Sequence, residues 1–517
     1  MVVCISDAAV TGGAGRRGMA AANAEGRLTR RPPHTPGMRS ITLGAAVFVS
    51  SAAILVLEIL AGRILAPFVG VTLRSFTGII GTVLAAIAVG AWAGGRLADR
   101  VDPSRLLGPV LVAGGLLAAT TPTIVTTLGP TLSGEAPLRI VTLAFVGFFA
   151  PAVVLAAVTP IAAKLALRSL AETGAVVGGL SALGTAGALF GTFVTGFVLI
   201  AAMPSRPITW VVAAVLVVFG IGLSTSASRL VRLGAVPLLA AAIVLGTAVP
   251  SPCQIETAYF CASVRVDAAR PTGRELILDT LRHSYVDVAD PTYLGSRYAR
   301  VITGVVEATM PEGELDVLYI GGGGFTLPRF LAATRGGSAT VLELDQTVVD
   351  IAEAELGLEP GPWLTVVAGD ARVTLAKAAP SGFDVVVGDA FGGPAVPFHL
   401  TTVEFLESIA TRLRPGGLYV LNVIDHPPTR FVRAEAATLA RVFPYVGIVA
   451  PQGLLDGLQG GNYVLVGSKD PLDPAALAAV MSDGEVAITG DDAREFAAGA
   501  IVLRDEHAPA DQLLGRP

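Results

Sequence analysis

The stretch Val317-Leu-Tyr-Ile320-Gly321-Gly-Gly-Gly324 decides how the C-terminal half of this chain folds. Its apolar residues read as a buried strand. Its glycines let the backbone turn sharply and approach a ligand closely at the start of the next helix. Working outward, strands are expected at 316–320, 339–343, 364–368, 384–388 and 417–423, alternating with helical stretches such as 346–356 and 402–414. That alternation predicts a doubly wound parallel sheet. Three strands end in acids, at Glu343-Leu-Asp345, Gly369-Asp370-Ala371 and Gly388-Asp389-Ala390. Open α/β sheets bind ligands beyond the C-terminal ends of their strands, so this edge is expected to form a nucleoside-binding crevice. Just upstream, Ser263-Val-Arg-Val-Asp267 and Arg274-Glu-Leu-Ile-Leu-Asp279 alternate apolar and polar residues. This period predicts a small antiparallel β-domain with one wet face.

The rest of the chain is a different material. The 517 residues are 52% hydrophobic and 15% charged, with a mean hydropathy of +0.67, which points to a membrane protein of more than one domain. A basic leader is expected at 1–40, a membrane domain at 41–250, the β-domain at 251–300, the Rossmann-type domain at 301–470 and a C-terminal extension at 471–517. Seven apolar segments, near 41–61, 76–95, 106–127, 138–160, 176–203, 207–224 and 231–249, can each cross a hydrocarbon layer of about 30 Å. Small-residue patterns such as Gly90-x-x-x-Gly94 and Gly184-x-x-Gly187-x-x-x-Gly191 predict close helix packing. Glu58, an acid within the first span, is a candidate for function or for a headgroup-reaching residue.

Lys and Arg concentrate in the leader and in alternate loops, which puts the N-terminus in the cytoplasm. Seven spans would put the C-terminal domain outside, and one span more or fewer reverses that, so its side stays open. The net charge of -5 and the lack of a basic stripe argue against a nucleic-acid partner. Cys253 and Cys261 flank a short segment after the last apolar run. They read equally well as a disulfide of an oxidising compartment or as two buried thiols. No further Cys or His stands at zinc-ligand spacing, so no metal is expected.

At the strand ends, each acid has a separate task. Glu343 follows the glycines by about twenty residues, where an acid accepts hydrogen bonds from both ribose hydroxyls. Asp345 is an alternative for that task and equally a helix N-cap. Asp370, beside Ala371, is placed to accept from an adenine amino group.

Residues 255–470 resemble the spermidine synthase (polyamine aminopropyltransferase) family, within the class I methyltransferase fold. The whole chain resembles the bacterial membrane-fused form of that family. The likeness includes Glu58-Ile-Leu-Ala-Gly-Arg-Ile-Leu-Ala-Pro67, Gly94-Gly-Arg-Leu-Ala-Asp-Arg100 and Leu278-Asp-Thr-Leu-Arg-His-Ser-Tyr285. The resemblance implies a multi-pass membrane protein in the lipid bilayer of the cell, with decarboxylated S-adenosylmethionine, or S-adenosylmethionine itself, as cosubstrate and no tightly bound cofactor. Gly321, Gly322, Gly323 and Gly324 would lie near the thioether, Glu343 on the ribose and Asp370 with Ala371 on the adenine. Asp389 matches the catalytic aspartate, which orients and deprotonates an attacking amine. His283, Tyr285 and Tyr293 would line the amine pocket, and a homodimer is implied.

Two departures stand out. The family's Gly-Gly-Gly-Asp-Gly reads Gly321-Gly-Gly-Gly-Phe325 here, and Gly392 replaces the second aspartate of its Asp-x-x-Asp-Pro motif. Each lost charge-assisted contact to a diamine is worth about 1.5–3 kcal/mol. The expected function is aminopropyl transfer to a diamine such as putrescine. One alternative is transfer from S-adenosylmethionine to another acceptor, in a pocket made greasier by Phe325, Phe391 and Phe398. The other is a non-catalytic nucleoside or polyamine sensor coupled to the membrane helices.

Overall fold

The computed structural model describes residues 36–134, 136–167, 172–224, 229–390, 396–481 and 484–515. The apolar segments form helices at Pro36–Val69, Leu73–Arg100, Pro103–Leu128, Pro137–Ala166, Thr173–Ala202, Ser205–Leu223 and Arg229–Ala248. Six are long and apolar enough to cross a membrane by length and composition, and the apolar part of the last, Leu233–Ala248, is shorter. A capping box sets the first turn of the second helix: Ser75 N donates to Thr72 Oγ1 at 3.2 Å, and Thr72 N to Ser75 Oγ at 2.8 Å. Each bond satisfies a donor that the bend would otherwise leave open. The small residues pack as their spacing suggests. A Cβ at Gly90 would lie 2.2 Å from the Val153 carbonyl oxygen, and one at Gly187 would lie 2.2 Å from that of Phe48. Only glycine permits backbones this close. Glu58 is half-buried in the first helix.

The β-domain is a four-stranded antiparallel sheet of β1 (Ile255–Glu256), β2 (Cys261–Val266), β3 (Gly273–Leu278) and β4 (Leu281–Asp287), in that order. Cys253 and Cys261 are disulfide-bonded, with Cα atoms 5.0 Å apart, which decides between the two readings of this pair. The sheet is seated on one end of the helix bundle. Arg63, near the end of the first helix, reaches Glu256 Oε1 at 3.1 Å and the Ala258 carbonyl at 2.6 Å. Ser205, which opens the sixth helix, donates its N–H to the same Glu256 carboxylate at 3.1–3.2 Å.

The main sheet contains β5 (Leu315–Ile320), β6 (Gly337–Glu343), β7 (Leu364–Ala368), β8 (Phe383–Gly388), β9 (Leu413–Asp425), β10 (Tyr445–Pro451), β11 (Gly461–Ser468) and β12 (Glu485–Thr489). Their order is β12-β10-β11-β9-β8-β5-β6-β7. Pairings among β5 to β9 are parallel, and those joining β9, β11, β10 and β12 are antiparallel. The five strands expected to be parallel are so, and three antiparallel strands extend the sheet beyond β9, which makes it mixed overall. Only residues 452–460 join β10 to β11, too few for the crossover that a parallel pair needs.

The central strands are buried on both faces, and side chains alternate between two cores. Leu318, Ile320 and Val386 face the helices Val403–Ala410 and Arg430–Leu439. Val317, Tyr319, Val385 and Val387 face the helices Arg297–Thr309, Thr326–Thr334 and Gln346–Glu355. Residues beyond 470 join the same body: β12 extends the sheet, Leu503 and Leu514 enter its core, and Gly515 N donates to Asp425 Oδ1 at 2.8 Å.

Candidate active site

The two edges of the parallel strands treat their acids differently. At the N-terminal edge Arg414 neutralises Asp316 and Asp384, at 2.7 Å each. At the C-terminal edge Glu343, Asp370 and Asp389 converge on one mainly apolar cavity of about 110 Å³. Gly321, Gly323, Ala371 and His283 line it as well. The glycine loop packs against the strand end that carries Asp389: a Cβ on Gly321, whose φ is 94°, would lie 2.3 Å from the Asp389 carbonyl oxygen.

Glu343 is buried and faces the loop. Its Oε2 accepts from Gly322 N at 2.8 Å and Gly323 N at 3.1 Å, and its Oε1 from Asp345 N at 3.1 Å. Burial raises its pKa, and these amides act against the rise. Asp345 caps the helix Gln346–Glu355 by accepting from Thr347 N at 3.0 Å. Asp370 likewise accepts from Arg372 N at 2.8 Å, and its other oxygen lies 3.1 Å from His399 Nε2.

Asp389 is held by side chains. Asn422 Nδ2 donates to its Oδ1 at 2.9 Å, Tyr298 gives a second hydrogen bond, and Asn462 Nδ2 donates to Asn422 Oδ1 at 3.0 Å. Desolvation pushes the Asp389 carboxyl up to about 6, and the Asn422 and Tyr298 bonds act against that rise. A carboxylate with this value is ionised at neutral pH yet basic enough to take a proton. Tyr298 and Asn462 also wall a second cavity, of about 220 Å³, which the Arg297–Glu485 ion pair at 3.2 Å lines as well. Glu485 comes from β12, so the last part of the chain contributes to this region.

Of the residues expected at the amine, His283 lines the main cavity, with its Nε2 buried and without a hydrogen-bond partner. Burial lowers its pKa to about 4, so the ring is neutral. Tyr285 and Tyr293 are placed elsewhere. The Tyr285 hydroxyl donates to Asp267 at 2.7 Å, its ring packs on Tyr293 at 5.9 Å, and Arg270 covers Tyr293 at 3.7 Å. The Tyr285 cluster forms at the end of the β3–β4 hairpin away from its turn, where Gly273 and Gly295 pack against the Tyr285 ring, and neither tyrosine lines the cavity.

The expectation of a greasier pocket is also corrected. Phe325 adopts a left-handed backbone (φ 57°) and is wholly buried in the core, while Phe398 is exposed and Phe391 lies outside the described residues, as does Gly392. Gly324 has no room for a larger residue. A Cβ there would lie 2.8 Å from that of Ser284, whose Oγ accepts the Gly324 N–H at 2.9 Å. A strand of the β-domain thus fills the place where an aspartate would project.

Sequence reasoning misses Tyr298, Asn422, Asn462 and His399. One signal is available: Asn422 interrupts the apolar run Leu418-Tyr-Val-Leu-Asn-Val423 with a polar residue. The others come from distant segments with no local pattern.

Comparison with known proteins finds similarity over the α/β half of the chain. Residues 295–446 match the spermine/spermidine synthase domain. The chain is 35% identical over 174 residues to a polyamine aminopropyltransferase of Vibrio vulnificus, covering 33% of this chain and 54% of that one. It is 33% identical over 136 residues to putrescine N-methyltransferase 4 of Nicotiana tabacum, covering 24% and 33%. A crystal structure of a probable spermidine synthase from Corynebacterium glutamicum is 26% identical, with a TM-score of 0.47 over 51% of this chain and 98% of that one. The chain spans about half the length of the aminopropyltransferase it matches. The α/β half of this chain, which carries the glycine loop and the strand-end acids, is therefore similar to spermidine synthases and polyamine aminopropyltransferases over the matched region.

Proposed function

We propose that the protein is a membrane-anchored, aminopropyltransferase-type enzyme that uses decarboxylated S-adenosylmethionine and an amine. The observation that carries this reading is Asp389, raised to about 6 and gripped by Tyr298 and Asn422 beside the glycine loop. In the reaction the amine lone pair attacks the methylene carbon next to the sulfonium. The C–S bond breaks, its electron pair neutralises the sulfur, and the thioether nucleoside leaves. The amine sheds its proton to the Asp389 carboxylate, which passes it to water. The leaving group is already activated, so orientation and proton removal are the main tasks of the protein. Glu343 and Asp370 would hold the ribose and the adenine, and His283 the donor chain. The cavity behind Tyr298 and Asn462 offers room for the body of the acceptor. Purified protein given decarboxylated S-adenosylmethionine and putrescine is expected to release methylthioadenosine. If none forms, the activity is refuted.

A second reading is transfer of a methyl group from intact S-adenosylmethionine. It is favoured by the closed space at Gly324, where Ser284 stands in place of a carboxylate for the aminopropyl ammonium. One relative of this region is named as a putrescine N-methyltransferase, which fits the same view. Calorimetry with both nucleosides separates the two, since tighter binding of the decarboxylated form excludes the second.

A further inference from the structure

We propose that the α/β domain and its site lie on the extracytoplasmic side of the membrane. Counting spans in the sequence cannot decide this, but the way the domain is docked can. Its contacts with the bundle involve the ends of helices on one side. Arg63 and Ser205 bind Glu256, and Arg206, next to Ser205, donates to the carbonyls of Val249 at 2.9 Å and Pro250 at 3.3 Å. The first helix begins at the other end and finishes here, at Val69. The last helix also finishes here, since Gly246 packs on Trp210 near the start of the sixth. The domain therefore sits opposite the beginning of the first helix, whether or not the last helix counts as a full span.

The two ends differ in charge. The leader and the loops at the far end carry thirteen Lys and Arg residues, among them Arg96, Arg100, Arg105 and Lys164. The domain end carries four, Arg63, Arg74, Arg139 and Arg206. Three of those four are tied to protein acceptors, Arg139 through the Ser133 carbonyl at 2.7 Å. The far end is thus the cytoplasmic one. The Cys253–Cys261 disulfide is an independent sign, because it lies at the domain end of the bundle and disulfides persist in oxidising compartments.

This placement does not depend on the transfer reaction, but it constrains it. A permanently charged sulfonium nucleoside does not cross a bilayer unaided. A site on this face therefore needs a transport step to supply its donor.

The test is a pair of reporters fused after Pro517 of the full chain, alkaline phosphatase, active only outside, and green fluorescent protein, fluorescent only inside. The expected result is an active phosphatase and a dark fluorescent protein. The reverse overturns the proposal. Should fusion disturb folding, Arg494→Cys in a Cys4→Ser background provides a second reading at a surface-exposed position. Labelling by a membrane-impermeant maleimide on intact spheroplasts supports the proposal, and labelling only after lysis overturns it. Neither readout uses the transfer activity of the protein itself, so failure here is distinct from failure of the proposed function.

Discussion

In the proposed site the two acids assigned to the nucleoside are held by backbone amides, whereas Asp389, assigned to the amine, is held by side chains from distant segments. Glu343 takes three backbone amides and Asp370 caps the helix that follows it. Asp389 depends on Tyr298 from the helix Arg297–Thr309 and on Asn422 from β9, with Asn462 of β11 behind. The difference teaches that the two halves respond to change separately. Backbone-held acids tolerate sequence drift around them, and side-chain networks do not. One departure from the family pattern, at Gly324, has a structural reason: Ser284 fills the space there.

The largest expected effect tests this separation directly. Asp389→Asn should lower the transfer rate by about 10²–10⁴-fold, the usual contribution of a general base. Nucleoside affinity, measured by calorimetry, should stay within about threefold, since no nucleoside contact is removed. A parallel collapse of affinity would mean that the halves are not separate. Glu343→Gln should do the opposite, weakening nucleoside binding by roughly tenfold to a hundredfold through loss of a charge-assisted acceptor. Its turnover at saturating nucleoside should change much less.

A third experiment attempts to rebuild the amine side. Gly324→Asp alone should destabilise the domain, because its Cβ meets Ser284. Combined with Ser284→Gly it should fold and tighten the decarboxylated donor by about tenfold or more, as one charged contact of about 1.5–3 kcal/mol is regained. Unchanged affinity in a well-folded double variant would show that this corner does not face the ammonium.

The smallest effect concerns pH. Asp389 must be ionised to accept a proton, and burial holds its pKa at about 6. The kcat/KM profile should therefore fall as pH drops below about 6 and level off above it. In Tyr298→Phe the charged form loses a hydrogen bond, so the pKa rises further and the acid limb should move up by about 1 unit, near 1.4 kcal/mol. A limb that stays in place would remove Tyr298 from the base's environment.

Much of this molecule is legible in its amino-acid sequence. The helices follow from apolar segments long enough to span a bilayer, and the strands β5 to β9 from short apolar runs between turn residues. Glu343, Asp370 and Asp389 can be picked out because strand ends of one parallel sheet converge by topology alone. Tyr298, Asn462 and His399 cannot, since no local period marks residues that meet only after distant segments pack. Tyr285 is not legible for a related reason: the facing of a strand is not fixed until β4 pairs with β3.

The sequence by itself therefore determined the two-part architecture, the strand edge where the acids gather and the uneven spread of Lys and Arg along the apolar half. Those properties rest on local patterning and on charge. Tertiary structure alone decided that Cys253 and Cys261 pair, that Ser284 closes the loop at Gly324, and at which end of the bundle the domain docks. Each of these depends on contacts between segments far apart in the chain or on the path of the backbone between them, such as Arg63 with Glu256. A pattern within one segment carries no information about which distant partner it will meet.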